Sequence, residues 1–299
     1  MAESSAISWT KSTFNPWIGC TKVGPGCDNC YAEKLDSMGR FGPSHWGPGV
    51  PRKRTTPGNW AQLAKWNRKA PETEFAGRKG FWPVFTASLA DIFDNDVPVE
   101  WRAEYFKLVH DCPNLTFLIV TKRIGNVLRM LEEAADWHFD HGDRNIAGWL
   151  TDWYKHGIPP KNVWMIATVV DQVEADRDID KLLDVPAAIH GLSVEPMLGP
   201  IELAARGWLH RTPKSVIFEG RPAPTIDWVI VGGESLPGGN ARPMLADWAL
   251  DLRRQCAEAG VAFHFKQLGH HLARELGIEG KGKEPSEWPG ELRVQEYPF

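Results

Sequence analysis

With 299 residues, 42% of them hydrophobic and 24% charged, the chain is long enough for one large or two small domains and has the balance of a soluble globular enzyme. No apolar run approaches the ~20 residues that a membrane helix needs, which excludes a spanning segment. The net charge of −4 argues against a dedicated nucleic-acid coat, yet residues 36–80 carry nine Lys/Arg against three Asp/Glu, leaving −10 for the rest.

The opening Met1-Ala2-Glu3-Ser4-Ser5 has no basic-then-apolar signal, so a reducing, cytoplasmic location is expected. Residues Gly19 to Tyr31 follow, a Gly/Pro-rich loop holding Cys20, Cys27 and Cys30, three of only five cysteines in the chain. Three thiolates can anchor three irons of a [4Fe–4S] cluster and leave the fourth iron open to another ligand. The same run could hold zinc with a distant His as fourth ligand, and ten histidines are present. A disulfide plus a free thiol suits a reducing compartment poorly. A zinc nucleobase deaminase does not match, because Gly26 rather than proline precedes Cys27 and no His-x-Glu lies upstream.

Residues 36–80 read as a basic, Gly/Pro-containing insertion. Within it Arg52, Lys53 and Arg54 precede Trp60 and Trp66, mixing phosphate-seeking charge with flat stacking surfaces, as single-stranded nucleic acid requires. The alternative is a lid whose tryptophans pack on the body of the protein; most of the fifteen tryptophans read simply as packing residues.

Continuous apolar runs then recur at Phe81–Thr86, Leu115–Thr121, Val163–Val170, Ala188–Val194, Trp228–Gly232 and Val261–Lys266. Their lack of alternation predicts strands buried on both faces of a parallel sheet. Helical spacing over Val99–Val109 and Trp248–Ala257, the latter stopping at Gly260, supplies intervening helices. Residues 132–160 form a polar insertion with some helix, and residues 278–299 an aperiodic tail that caps the surface. The expected class is α/β, a partial or full parallel β/α barrel of the TIM type or an open doubly wound sheet, in a single domain over residues 1–277.

Nearly every predicted strand ends in polar residues, at the end where such folds bind ligands. Asp91, Lys122, Glu195 and Glu234 stand out. Glu195, just inside the end of a buried strand and followed by Pro196, is costly there without a partner. The Gly232-Gly233-Glu234-Ser235 turn could bring backbone N–H groups to an anion, although it lacks a full dinucleotide or Walker pattern.

The cysteine triplet, followed by Tyr31-Ala32-Glu33, resembles the radical S-adenosylmethionine superfamily, with a first gap of six residues between cysteines rather than the usual three. Over most of its length the chain resembles a phage and bacterial family of unknown function, the three-Cys-motif phage proteins. The residues carrying that resemblance include Asn15-Pro16-Trp17-Ile18-Gly19-Cys20, Cys27-Asp28-Asn29-Cys30, Thr121-Lys122-Arg123, Ser193-Val194-Glu195-Pro196, Ala241-Arg242-Pro243 and Phe265-Lys266-Gln267. The Thr-Lys-Arg and Ser-Val-Glu-Pro blocks are also similar to spore photoproduct lyase-like DNA repair enzymes.

The resemblance implies a radical-SAM-type barrel with a [4Fe–4S] cluster on Cys20, Cys27 and Cys30 and S-adenosylmethionine as cofactor. It implies reductive cleavage to a 5′-deoxyadenosyl radical that abstracts hydrogen from substrate. Lys122 and Glu195 are then expected in catalysis, and Asp91, Gly232, Gly233 and Glu234 in cofactor binding. Expected partners are a nucleotide or nucleic-acid substrate, an electron donor and a protein partner, with no membrane. The competing expectation is a zinc-bearing barrel, either binding nucleic acid and recruiting partners or acting as a hydrolase or lyase.

Overall fold

A computed structural model describes residues 2–209 and 224–299. The chain divides into two compact units, one made of Met1–Ile166 with Val185–Ala188, the other of Ala167–Asp184 with Ile189–Phe299. Among the described residues no helix is long and apolar enough to cross a membrane.

The first unit starts with β1 (Ser12–Phe14), β2 (Trp17–Ile18) and α1 (Tyr31–Ser37). Next come β3 (Lys53–Arg54), antiparallel to β2, then α2 (Pro57–Lys69) and a small hairpin of β4 (Glu74–Phe75) and β5 (Arg78–Lys79). The chain continues through β6 (Pro83–Thr86), α3 (Val99–Asp111), β7 (Thr116–Thr121), α4 (Val127–Asp140) and α5 (Arg144–Tyr154) to β8 (Val163–Thr168). The strands lie in the order β1-β6-β7-β8. β1 and β7 both run parallel to β6, with Ser12 opposite Val84 and Pro83 opposite Thr116.

Local chemistry explains these elements. Thr56 caps α2 by accepting from the Asn59 amide, and Pro57 at the first helical position sacrifices no hydrogen bond. α4 buries Val127, Met130, Leu131, Ala134, Ala135 and His138, a stripe at helical spacing. The core gathers rings: Tyr105 lies 6.5 Å from Phe14, 5.3 Å from Phe106 and 6.4 Å from Phe117. Burying each such ring contributes about 1.5–3 kcal/mol.

β8 crosses from one unit to the other, with Val163–Ile166 in the first and Ala167–Thr168 in the second. The second unit adds α6 (Gln172–Asp184), β9 (Ile189–Val194), β10 (Trp228–Gly232), α7 (Ala246–Ala259), β11 (Ala262–Gln267) and α8 (Gly269–Glu275). Its order is β8-β9-β10-β11, and β10 is parallel to both β9 and β11. All six residues of β8 and all five of β10 are buried, as unbroken apolar runs require.

The parallel α/β class is therefore present. β1 is an addition that the sequence did not announce. The basic insertion holds a full helix, α2, and the polar insertion is mostly α4 and α5. The tail is more than a surface cap. Trp288 and Leu292 are buried, the Trp288 ring stands 4.9 Å from Phe265, and the Phe265 amide donates to Val294 O at 2.8 Å.

Candidate functional site

In the first unit the cysteine loop is tied to the C-terminal ends of the strands. Gly19 donates to Leu89 O at 3.1 Å, and its φ of +112° suits only glycine. A Cβ there would also lie 2.4 Å from His45 O. Farther along, the Tyr31 hydroxyl donates to Ser88 O at 2.6 Å, and Asn15 accepts from the Leu89 amide at 2.7 Å. Between these anchors Cys27 closes a short 3-10 turn and Cys30 precedes α1, the Cys30 amide donating to Cys27 O at 3.3 Å. All three loop thiols are free and half-buried.

Cys20 has the most structured surroundings. Arg123 Nη1 donates to its Sγ at 3.4 Å, and Nη2 donates to Thr21 O at 2.7 Å. Burial, reinforced by the Asp91 carboxylate and opposed by Arg123, pushes the Cys20 thiol up to about 12. Arg123 sits 3.7 Å from Asp91 and 3.6 Å from Asp94. Asp91 accepts from Thr121 Oγ1 at 2.8 and 3.0 Å, from the Lys122 amide at 3.1 Å and from the Phe93 amide at 2.9 Å. Its oxygens are thus occupied by the protein itself. The Lys122 side chain is half-buried and has no ion pair among the described residues.

Arg52 is a structural residue. It pairs with Asp94 and Asp96, each at 2.8 Å, and donates to His45 O, Gly47 O, Val50 O and Thr21 Oγ1. No donor is left for a phosphate. Trp66 is buried and stacks on Trp82 at 6.2 Å. Lys53 donates to Phe41 O at 2.6 Å. Arg54 pairs with Glu104 and lies 4.4 Å over Trp60, itself buried, at the wall of a groove of about 670 Å³ between α2 and α3. Of the five residues expected to form a stacking and phosphate surface, Arg52, Trp60 and Trp66 are buried, and the charge of Arg54 is paired.

The second unit gathers Glu195, Gly232, Gly233 and Glu234 at the ends of β9 and β10. Glu195 Oε1 lies 2.7 Å from Lys266 Nζ at the end of β11, and Oε2 accepts from Ser193 Oγ at 3.2 Å. This is the partner that a carboxylate at the end of a buried strand requires. The Glu195–Pro196 peptide is cis. A Cβ on Gly232 would stand 2.9 Å from Glu195 Oε1, so the carboxylate lies directly over that glycine. Glu234 is buried and held by Arg242 at 2.6 Å, with the Arg242 amide donating at 2.8 Å. The Gly233 amide donates to Gln267 O at 3.1 Å. Gly233 and Gly269 approach so closely that a Cβ on the former would meet Leu268 O at 2.1 Å, and one on the latter Gly233 C at 2.5 Å.

Sequence reasoning missed Arg123 as the partner of Cys20 and Lys266 as the partner of Glu195. Arg123 sits beside Lys122 in a block already singled out, and Lys266 sits in another such block, from which no site residue was chosen.

Among the described residues no group of three or more His, Cys, Asp or Glu side chains is arranged to hold a metal ion. A tetrahedral zinc with Zn–S bonds of about 2.3 Å needs its sulfurs within roughly 4 Å of one another, and the described residues hold no such set. A cubane cluster spreads its thiolates farther apart. Three free thiols on one anchored loop, one beside a buried guanidinium, are a donor set of the kind an iron–sulfur cluster uses. Cys112 and Cys256 are buried packing residues, and burial pushes their thiols up to about 11 and about 12.

A family model described as "Protein of unknown function (DUF5131)" matches residues 4–298. No curated protein and no solved structure matches the chain.

Proposed function

The chain belongs to the DUF5131 family of proteins of unknown function, and we propose that it is a radical enzyme with an iron–sulfur cluster on Cys20, Cys27 and Cys30 and S-adenosylmethionine as cofactor. The observation that carries this reading is the set of three free thiols on a loop anchored to the strand ends, with Cys20 Sγ 3.4 Å from buried Arg123. Bound there, the cluster would supply one electron to a sulfonium cofactor, and an external donor would replace that electron.

The chain's own residues then have definite tasks. Arg123 offsets negative charge at the Cys20 sulfur, and Asp91 and Asp94 fix its guanidinium. Tyr31 and Gly19 hold the two ends of the loop, so the thiols are presented from a fixed frame. Lys122, adjacent to this network and without an ion pair among the described residues, would then meet a substrate or cofactor oxygen. A nucleotide or nucleic acid is the substrate class implied by the resemblance at Thr121-Lys122-Arg123 and Ser193-Val194-Glu195-Pro196. It would be engaged without the Arg52 and Trp66 side chains.

Anaerobic reconstitution with iron and sulfide tests the reading. Wild type should turn brown and retain iron after desalting, Cys20→Ala, Cys27→Ala and Cys30→Ala should each bleach it, and a Cys112→Ala, Cys256→Ala double variant should keep its colour. A triple-cysteine variant that stays fully coloured, or wild type that binds stoichiometric zinc and no iron, would sink the proposal.

A further inference from the structure

Among the described residues, the ion pairs at the ends of β9, β10 and β11 leave one cation over. Glu195 is occupied on both oxygens, by Lys266 at 2.7 Å and by Ser193 at 3.2 Å. Glu234 is occupied by Arg242 at 2.6 Å and by the Arg242 amide at 2.8 Å. One more cation reaches this region. The backbone of Lys281 and Gly282 is sewn onto the turn after β11, the Gly269 amide donating to Lys281 O at 3.0 Å and the Leu268 amide to Gly282 O at 3.1 Å. Gly282 presses against Leu268, where a Cβ would come within 2.6 Å of Cδ1, so the segment has no slack. Lys281 is half-buried and, among the described residues, its ammonium has no carboxylate within ion-pair distance.

We propose that Lys281 is the ligand-facing cation of an oxyanion site at the ends of β9, β10 and β11, taking a carboxylate or phosphate group. A half-buried ammonium left without a counterion is unfavourable in the free protein, and an entering oxyanion relieves that cost with a charge-assisted hydrogen bond. Lys266 cannot serve in its place, because Glu195 already neutralises it. The surroundings agree: burial, and then the neighbouring Lys266, hold the Lys281 ammonium below its ordinary value, with Glu195 opposing and exposed Lys283 adding to the effect. His270 faces the same cation, being held below its ordinary value by burial and by Lys281, and its Nδ1 accepts from the Leu236 amide at 3.1 Å. The His270 ring is therefore neutral and adds no competing charge.

The site requires neither a cluster nor catalytic turnover, so its test is separate from that of the radical chemistry. The full-length protein, with its lysines labelled at Cε, is titrated by NMR with inorganic phosphate, with acetate, and with chloride at matched ionic strength. One resonance, absent from Lys281→Met, should titrate below the ordinary lysine range and move back up as phosphate or acetate saturates. The anion that saturates at lower concentration identifies the group recognised. Calorimetry should show affinity for that anion falling about tenfold or more in Lys281→Met, holding in Lys281→Arg, and unchanged in Lys283→Met. Lys281→Arg guards against misreading a folding defect, since it keeps charge and bulk. A Lys281 resonance in the ordinary range, a response to phosphate and acetate no larger than to chloride, or equal affinities in the Met variant and wild type would each overturn the proposal.

Discussion

The two units use cations in opposite ways. Arg52 and Arg123 in the first unit are buried and enclosed by carboxylates and carbonyls, with Asp94 shared between them at 2.8 and 3.6 Å. Lys281 in the second is half-buried, and among the described residues its charge is left over after Glu195 and Glu234 have been matched. A saturated buried charge holds a structure together, because removing either partner strands the other in a low-dielectric interior. An unsaturated one is free to serve a ligand. The contrast teaches that positive charge in sequence is not a binding surface until its partners have been counted. By that count Arg52 looks inward, while Lys53 and Arg54 beside it stay exposed with partners of their own.

The sharpest way to break this comparison is Arg52→Met, which leaves buried Asp94 without its closest partner. It should destabilise the protein by about 3–5 kcal/mol, read as a fall in the midpoint of urea unfolding, and Arg52→Lys should rescue little because it cannot reproduce the fan of donors. A loss under about 1 kcal/mol would show that the network is no tighter than a surface ion pair. Gly19→Ala should come next, at roughly 1–3 kcal/mol, since it combines a strained φ with a contact against His45 O. It should also release iron from reconstituted protein at the same time, whereas Gly39→Ala, with nothing near its Cβ position, should leave iron content unchanged.

A third effect follows from His264 on β11, whose imidazole burial pushes down from 6.5 to about 3. The unfolded chain binds a proton there before the native one does, so stability should fall as pH drops from 6.5 towards 3. The slope from this group is about 1.4 kcal/mol per pH unit. Equilibrium unfolding at several pH values checks it, and His264→Phe should flatten that part of the curve. Smallest is the alkaline signature of Lys281. Its proton is bound less readily in the native state, so stability should rise with pH from its lowered native value up to the ordinary lysine range. Lys281→Met should erase that rise, and saturating phosphate should shrink it, which would separate a ligand-facing cation from a merely crowded one.

Much of the framework was legible because the buried strands advertise themselves. Six apolar runs became β6 to β11 with ends within two residues of those expected, since a strand covered on both faces has no room for polar alternation. β1 was not legible: Ser12, Thr13 and Phe14 make no apolar run, and only pairing with Val84, Phe85 and Thr86 makes them a strand. The cost of Glu195 could be argued from sequence, but its partner Lys266 lies far along the chain at another strand end. Arg52 was misjudged for the same reason. Asp94 and Asp96, which enclose it, lie more than forty residues downstream, so local charge counting saw the cation without its cage.

The approach of Gly233 to Gly269 has a consequence for the variation that this scaffold can accept. Two backbones touch there with no side chain between them, and each would be struck by a Cβ on the other. The two positions therefore exclude every substitution, singly and together, and no compensating pair exists. In a saturation library selected for folded protein, both should return glycine alone, while Gly290, with open space at its Cβ position and ordinary backbone angles, should accept many residues. Chain crossing at that seam would be the part of the second unit least free to drift as the surrounding loops diverge.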